Sequence, residues 1–373
     1  MQQDKDKFDK DKRKILEKAL NKLTDKNPGI SLGFGNIEIT QYIATQFPTL
    51  NALTGGGIPR GKFGAVVGPS QVGKSTGLEQ IIAYNQEIDK NFTVLWTDAE
   101  DSLDLNWLAT LGVDIDRILV QKYDPNRPFM EALLEDALEL VKTRGIDLWV
   151  VDSISALEPK EDSDKTIEQN VMMTLPRKLG QFFRKAVKTI SPKPDWSGCA
   201  VVFIGQVYSV PSTTSAGIEE VRGGNAFKHW MHWRWKIRRG NKDEGPEEIT
   251  IQLPDGRPGK IRPGFAQHIK IDKTKMNPKE GQEIILQFML GRGLDSVNSQ
   301  ITGLLGNEII ERNGAMYMHD LLPNGKIRGR DTLIEFLRTH NDVRNELTKQ
   351  MDKVLAERTF AQIESQELKI EIE

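Results

Sequence analysis

The stretch "GPSQVGKST", from Gly68 to Thr76, carries the sharpest chemical signal in the chain. Its spacing is G-x-x-x-x-G-K-[ST], and it stands between the apolar run "GAVV" and a segment of helical character. Glycines let a backbone wrap closely round a phosphate, and N–H groups at a helix start point at it. Gly68, Pro69, Ser70, Gln71, Val72 and Gly73 are therefore expected to cradle phosphates, with Thr76 closing the motif. Lys74 is expected to reach the β- and γ-phosphates, and the Ser75 hydroxyl to ligate the Mg²⁺ that bridges them. Asp152 follows the apolar run "LWVV" and supplies a carboxylate on the metal side, since ligands bind at the carboxyl ends of strands in parallel sheets. A further group of acids, Asp98, Glu100 and Asp101 in "TDAED", leaves another strand end. One of them is placed to activate water against the γ-phosphate, and the spacing does not choose among the three.

Those residues need strand ends and helix starts to hold them. Apolar strands are expected at residues 64–67, 93–96, 118–120, 148–151 and 200–204, with helices at 75–88, 102–111, 128–144 and 175–190 between them. Continuous apolar strands alternating with helices predict an α/β fold, a parallel sheet covered on both faces. After Trp230 the pattern turns strand-rich: "WRWKI", "EITIQL", "HIKID" and "EIILQFML", with "LPDGRPGK" as a turn. Ahead of this core, Leu16, Ala19, Leu20 and Leu23 form one helical stripe, stopped by "NPG". Beyond residue 291 come short elements and a helix at 332–339. The expected division is 1–46 (N-terminal helix and linker), 47–290 (core) and 291–373 (small α+β domain and charged tail).

Composition narrows the class. With 38% hydrophobic and 28% charged residues, the chain reads as a soluble globular protein. No apolar run approaches a membrane span, so no membrane partner is expected. The first residues, "MQQDKDKFDKDKRK", lack a signal-peptide core, and the single cysteine, Cys199, fits a reducing cytoplasm. Cys199 opens the run "CAVVFI" and is expected to pack in the core. The formal net charge of −2 leaves no overall field for nucleic acid, so any such contacts must be local. Between Gln206 and Gly223 lies a stretch without helical or strand period, long for an unstructured connection unless it binds something.

From about Phe47 to Thr339 the chain resembles the RecA recombinases of bacteria and their phages. The stretches "GGGIPRGKFGAVVGPSQVGKST", "DAEDSLD", "LGVDIDRILV", "VVDSISALEPK", "FIGQ", "RGGNAFKHW", "KIRRG" and "KTK" carry the likeness in order and spacing. The resemblance implies a RecA-type P-loop ATPase core with ATP and Mg²⁺ as cofactors. It implies Glu100 as catalytic base and Asp104 and Trp107 as contacts to adenine. Gln206 would sense the γ-phosphate and signal to the loop that follows it. Lys273 and Lys275 would reach the ATP of an adjacent subunit in a helical filament, onto which the N-terminal helix docks.

The same resemblance places two loops against DNA. The first spans residues 161–174, where Met172 would wedge between bases, with Arg177 and Arg184 as phosphate contacts on one face of the next helix. The second spans residues 207–222 and would order on DNA. Ser212, Thr213, Arg222, Gly223, Gly224, Asn225 and Lys228 would meet phosphates there. "KIRRG" and Lys270 would contact a second, duplex DNA. Single-stranded DNA, homologous duplex, and single-strand-binding and mediator proteins are the implied partners; the implied location is the nucleoid in the cytoplasm.

The chain also departs from the family pattern. Tyr208 and Val210 stand where basic residues are expected, Pro211 where an aliphatic wedge is, and the tip "TTSAG" has no aromatic. Residues 240–266 are longer than the usual connection, which predicts an extra hairpin. The acidic tail is reduced to "IESQELKIEIE". These departures suggest a divergent, phage-encoded member. A ring helicase or recombination mediator on the same core, or a non-catalytic annealing protein, are the alternatives; the "GGNA" stretch, Lys273 and Lys275 favour the recombinase over the first two, and the intact nucleotide residues argue against the last.

Overall fold

The computed structural model describes Lys14, Lys18 and residues 40–163, 174–210, 218–252, 257–277, 279–351 and 353–354. By its contacts the chain divides into Met1–Gln41 and Tyr42–Glu373. In the first unit Lys14 and Lys18 are helical, and the rest of the expected N-terminal helix lies outside the described residues.

In the second unit the chain enters through β1 (Tyr42–Ile43), α1 (Pro48–Thr54) and β2 (Ile58–Pro59). Strand–helix alternation follows: β3 (Phe63–Gly68), α2 (Lys74–Ile88), β4 (Val94–Asp98), α3 (Leu105–Thr110), β5 (Ile118–Gln121), α4 (Met130–Lys142) and β6 (Leu148–Asp152). After α5 (Lys160–Ser163) and α6 (Thr174–Ile190) come β7 (Ala200–Val210), β8 (Ile218–Val221) and α7 (Gly224–Trp230). Then β9 (Trp233–Arg239), β10 (Ile249–Gln252), β11 (Pro258–Ile261), β12 (Gly264–Thr274), β13 (Glu283–Met289) and β14 (Gly293–Leu294) run with little helix between them.

Among the described residues, one ten-stranded sheet has the order β14-β13-β12-β9-β3-β7-β6-β4-β5, with β8 paired to β7. From β9 to β5 every neighbour is parallel. β12, β13 and β14 extend it antiparallel. The near-continuous apolar strands have a simple cause, because both faces are covered. Val66, Trp96, Val150 and Val202 pack on one side with Leu78 and Ile81 of α2. Their strand neighbours Ala65, Val67, Leu95, Val151 and Phe203 pack on the other with Leu134 of α4 and Phe183 of α6. Successive residues of one strand thus enter opposite cores. Cys199 is fully buried in the second core, which pushes its thiol far up and keeps it unreactive.

β10 and β11 form the extra hairpin expected within residues 240–266, pairing Ile249 with Ile261. A third apolar cluster, including Ile301, Leu304, Tyr317 and Leu333, gathers α8 (Ser296–Gly306), the small sheet β15 (Glu311–Asn313), β16 (Met316–Met318) and β17 (Lys326–Arg328), and α9 (Arg330–Thr339). Among the described residues no helix is long and apolar enough to cross a membrane.

Two expectations need correction. Residues 207–222 are not irregular throughout. β7 runs on to Val210 and returns as β8, with Val207 opposite Val221 and Tyr208 opposite Glu220. The β-branched residues Val207, Val210, Ile218 and Val221 suit a ladder, and the intervening serine and glutamates hide the alternation. Residues 211–217, with Ser212 and Thr213, lie outside the described residues, as does Met172. α3 also starts later than expected, at Leu105 instead of residue 102, because the Asp98 carboxylate holds the N–H groups of Ser102 and Leu103 in a turn.

Candidate functional site

Parallel pairing fixes the site. Gly68 at the end of β3 lies opposite Gln206 of β7, and Asp98 of β4 lies opposite Asp152 of β6. Every candidate nucleotide group on these strands therefore leaves the same edge of the sheet. The turn from β3 into α2 passes through Gln71 (φ 58°) and Gly73 (φ 81°). A Cβ on Gly73 would stand 2.5 Å from the Phe288 ring and 2.9 Å from Gln267 Nε2, so only glycine fits there. Gln267, fully buried on β12, donates to the carbonyl of Val72 and braces the loop from behind.

Lys74 is 8% exposed, and its ammonium donates to Pro69 O at 2.6 Å and to Gly68 O at 3.1 Å. Burial lowers its pKa, while Asp152 and Glu100 raise it. Ser75 Oγ donates to Asp152 Oδ2 at 2.9 Å. Burial pushes the Asp152 carboxyl up to about 6, opposed by the Ser75 bond and aided by Glu100 and Asp98. A crowd of acids with a hydroxyl at its centre is what a divalent cation relieves. Ser75 and Asp152 fit Mg²⁺ in this way, and the Lys74 cation and loop N–H groups fit a triphosphate. Glu100 accepts from the hydroxyl of Ser153, next to Asp152. Ser70 Oγ donates to Gln206 Oε1 at 3.2 Å, so the phosphate loop and β7 touch directly. Asp101 is taken up by Lys122 and Asp98 by the turn it caps, whereas Glu100 acts on the charges of both Lys74 and Asp152.

Asp104 caps α3, accepting from the N–H groups of Asn106 at 2.9 Å and Trp107 at 3.2 Å. The Trp107 indole N–H donates to Glu79 Oε2 at 3.1 Å. Glu79 is 5% exposed, and burial pushes its carboxyl up to about 7, with Trp107 opposing and Asp152 and Asp104 adding. Neither Glu79, Ser153 nor Gln267 was singled out by its motif. The signal for Glu79 was a carboxylate inside "GLEQII", four residues after Ser75.

The sequence model of the RecA N-terminal domain matches residues 14–294. Protein RecA of Acinetobacter baumannii is 30% identical over 354 residues, covering 93% of each chain. Protein RecA of Acinetobacter baylyi is 31% identical over 346 residues, 91% of each. Protein RecA of Prochlorococcus marinus is 30% identical, covering 94% of this chain and 90% of its own. The chain belongs to the RecA family, the ATP-dependent recombinases. The phosphate loop, Asp152 and Glu100 are thus found in a RecA-type core.

The remaining site residues fall into two other places on this RecA-family chain. Lys273 donates to the carbonyl of Lys228, and Lys275 to His229 O at 3.2 Å, so both converge on the last turn of α7. That turn lies at the sheet edge opposite the phosphate loop: Lys275 N–H donates to His232 O, and His232 N–H donates to the carbonyl of Phe63, the first residue of β3. Neither lysine joins the nucleotide cluster of its own chain. The candidate DNA groups cluster beside the β7–β8 hairpin. Arg222 donates to Ser155 O at 2.5 Å, on the turn that follows Asp152. Gly223 (φ 110°) caps α7, and Gly224 and exposed Asn225 open it. Lys228 pairs with Glu220 at 3.0 Å. Arg177, on α6, pairs with Glu161 at 2.5 Å, and Arg184 is exposed two turns further on.

Proposed function

We propose that the chain is a DNA-dependent ATPase that binds ATP with Mg²⁺ and polymerises on single-stranded DNA. In the filament it pairs that strand with homologous duplex. Lys74 neutralises the β- and γ-phosphates, Ser75 and Asp152 hold Mg²⁺, and Glu100 takes the proton from the attacking water. Lys273 and Lys275 supply cations to the ATP of the neighbouring subunit. The DNA face is the β7–β8 hairpin with Arg222, Gly223, Gly224, Asn225 and Lys228, flanked by Arg177 and Arg184. Met172, Ser212 and Thr213 belong to the same face by resemblance. The site of action is the nucleoid of a bacterial cytoplasm.

The observation that carries this reading is the bond between Ser70 and Gln206. It joins the phosphate loop to the strand that becomes the candidate DNA hairpin, so each ligand can bias the other. The test is ATP hydrolysis measured with and without single-stranded DNA. At least a tenfold stimulation is expected, lost in Lys74→Ala, with filaments in electron micrographs. Equal rates with and without DNA overturn the reading.

A further inference from the structure

Glu79 has no evident structural reason to be acidic. It lies on α2 between Leu78 and Ile81, both core residues, and is itself buried. Among the described residues no cation forms an ion pair with it. The charges that face it are the acids Asp152 and Asp104. Burying an unpaired carboxyl costs stability, and a leucine there would suit the core better. What Glu79 does have is the indole N–H of Trp107. Indole carries that single donor and no acceptor. With the backbone N–H of Trp107 held by Asp104, the residue is pinned at its base and at its ring edge. The ring is only half-buried. A bond to the indole N–H lies in the ring plane and does not itself occupy the π-face. Ser75 and Glu79 stand one helical turn apart, so the pin projects from the face of α2 that also carries the Ser75 hydroxyl.

We propose that Glu79 is a positioning residue for the nucleotide base: it sets the tilt of the Trp107 ring on which adenine stacks. The proposal rests on the reading of this site as an ATP site. Aromatic–base stacking is worth roughly one to three kcal/mol per base, so a ring released to other rotamers forfeits part of that in binding and none of the phosphate chemistry.

The test is steady-state ATP hydrolysis on single-stranded DNA. Glu79→Leu should raise KM for ATP about tenfold with kcat within twofold. Glu79→Gln, whose amide oxygen still accepts from the indole, should stay within twofold in both. Trp107→Phe, which has no N–H to hold, should make Glu79→Leu silent when the two are combined. Mg²⁺-tripolyphosphate, which has no base, should compete equally against the parent and Glu79→Leu. The proposal is overturned if Glu79→Leu raises KM as much in the Trp107→Phe background, or weakens tripolyphosphate as much as ATP. If Glu79→Leu does not fold, Trp107→Phe alone decides: a rise in KM of at least threefold is expected, and an unchanged KM overturns the proposal. A parent protein that does not bind ATP at all would instead defeat the nucleotide reading itself.

Discussion

Gln267 and Lys273 lie on the same strand, β12, yet Gln267 braces the phosphate loop of its own chain while Lys273 emerges at the opposite sheet edge. Each strand residue adds about 3.3 Å, and both ammonium groups turn to α7 at the far edge, so Lys273 and Lys275 do not serve the phosphates that Gln267 supports. Their carbonyl partners on α7 are ones a nucleotide on another subunit could replace. Lys273→Ala with Lys275→Ala should therefore leave ATP binding by the isolated chain within twofold. DNA-stimulated turnover should fall at least about a hundredfold, in the manner of a missing arginine finger. Loss of ATP affinity in dilute, DNA-free protein would show that the lysines act within their own chain.

Gly73 is where backbone geometry decides whether the loop forms. Its φ of 81° and the 2.5 Å separation from the Phe288 ring leave no room for a methyl group. Gly73→Ala should cost about 2–5 kcal/mol, the sum of left-handed strain and overpacking, read as a lower urea midpoint. ATP binding should be lost as well. A variant of parental stability that still binds ATP would contradict the close approach.

Much of this was legible because the chemistry and the fold share one pattern. The motif at Gly68–Thr76 and the acid after "LWVV" imply strand ends, and Gly68 and Asp152 both terminate strands. Strand–helix alternation was readable because burial on both faces forces unbroken apolar runs. What stayed hidden depended on contacts far apart in sequence. Nothing near Gln267 points to Val72, 195 residues away. The β7–β8 ladder was masked for a similar reason: Tyr208 and Ser209 look like loop residues until Glu220 and Glu219 are placed opposite them.

Glu79 should make the protein less stable as pH rises. Its folded-state carboxyl titrates at about 7, above the ordinary value of 4.5, so the folded state holds a proton that the unfolded chain releases earlier. The stabilisation is complete below about pH 4.5 and gone above about pH 7, a swing of about 3 kcal/mol at most. Glu79→Gln does not titrate. The thermal midpoint of Glu79→Gln should therefore gain on the parent by several degrees between pH 5 and pH 8. A difference that stays constant across that range would mean Glu79 is ionised throughout.

Arg222 ties the hairpin to the nucleotide side of the sheet. Its guanidinium donates to Ser155 O, and Ser155 N–H donates to Ser153 Oγ, the hydroxyl that also meets Glu100. Among the described residues this bond uses one of the five guanidinium N–H donors, which leaves others for a phosphate oxygen. If Arg222 contacts the DNA backbone, Arg222→Ala should weaken single-stranded DNA binding severalfold across unrelated sequences. The slope of log affinity against log salt should shrink by about 0.7, the counterion equivalent of one phosphate on a single strand. ATP binding without DNA should be unchanged, because Lys74, Ser75 and Asp152 make no contact with it. The decisive measurement is a salt titration of DNA affinity for both proteins. Parallel salt slopes with a uniformly weaker variant would assign Arg222 to holding the hairpin in place, with no phosphate of its own.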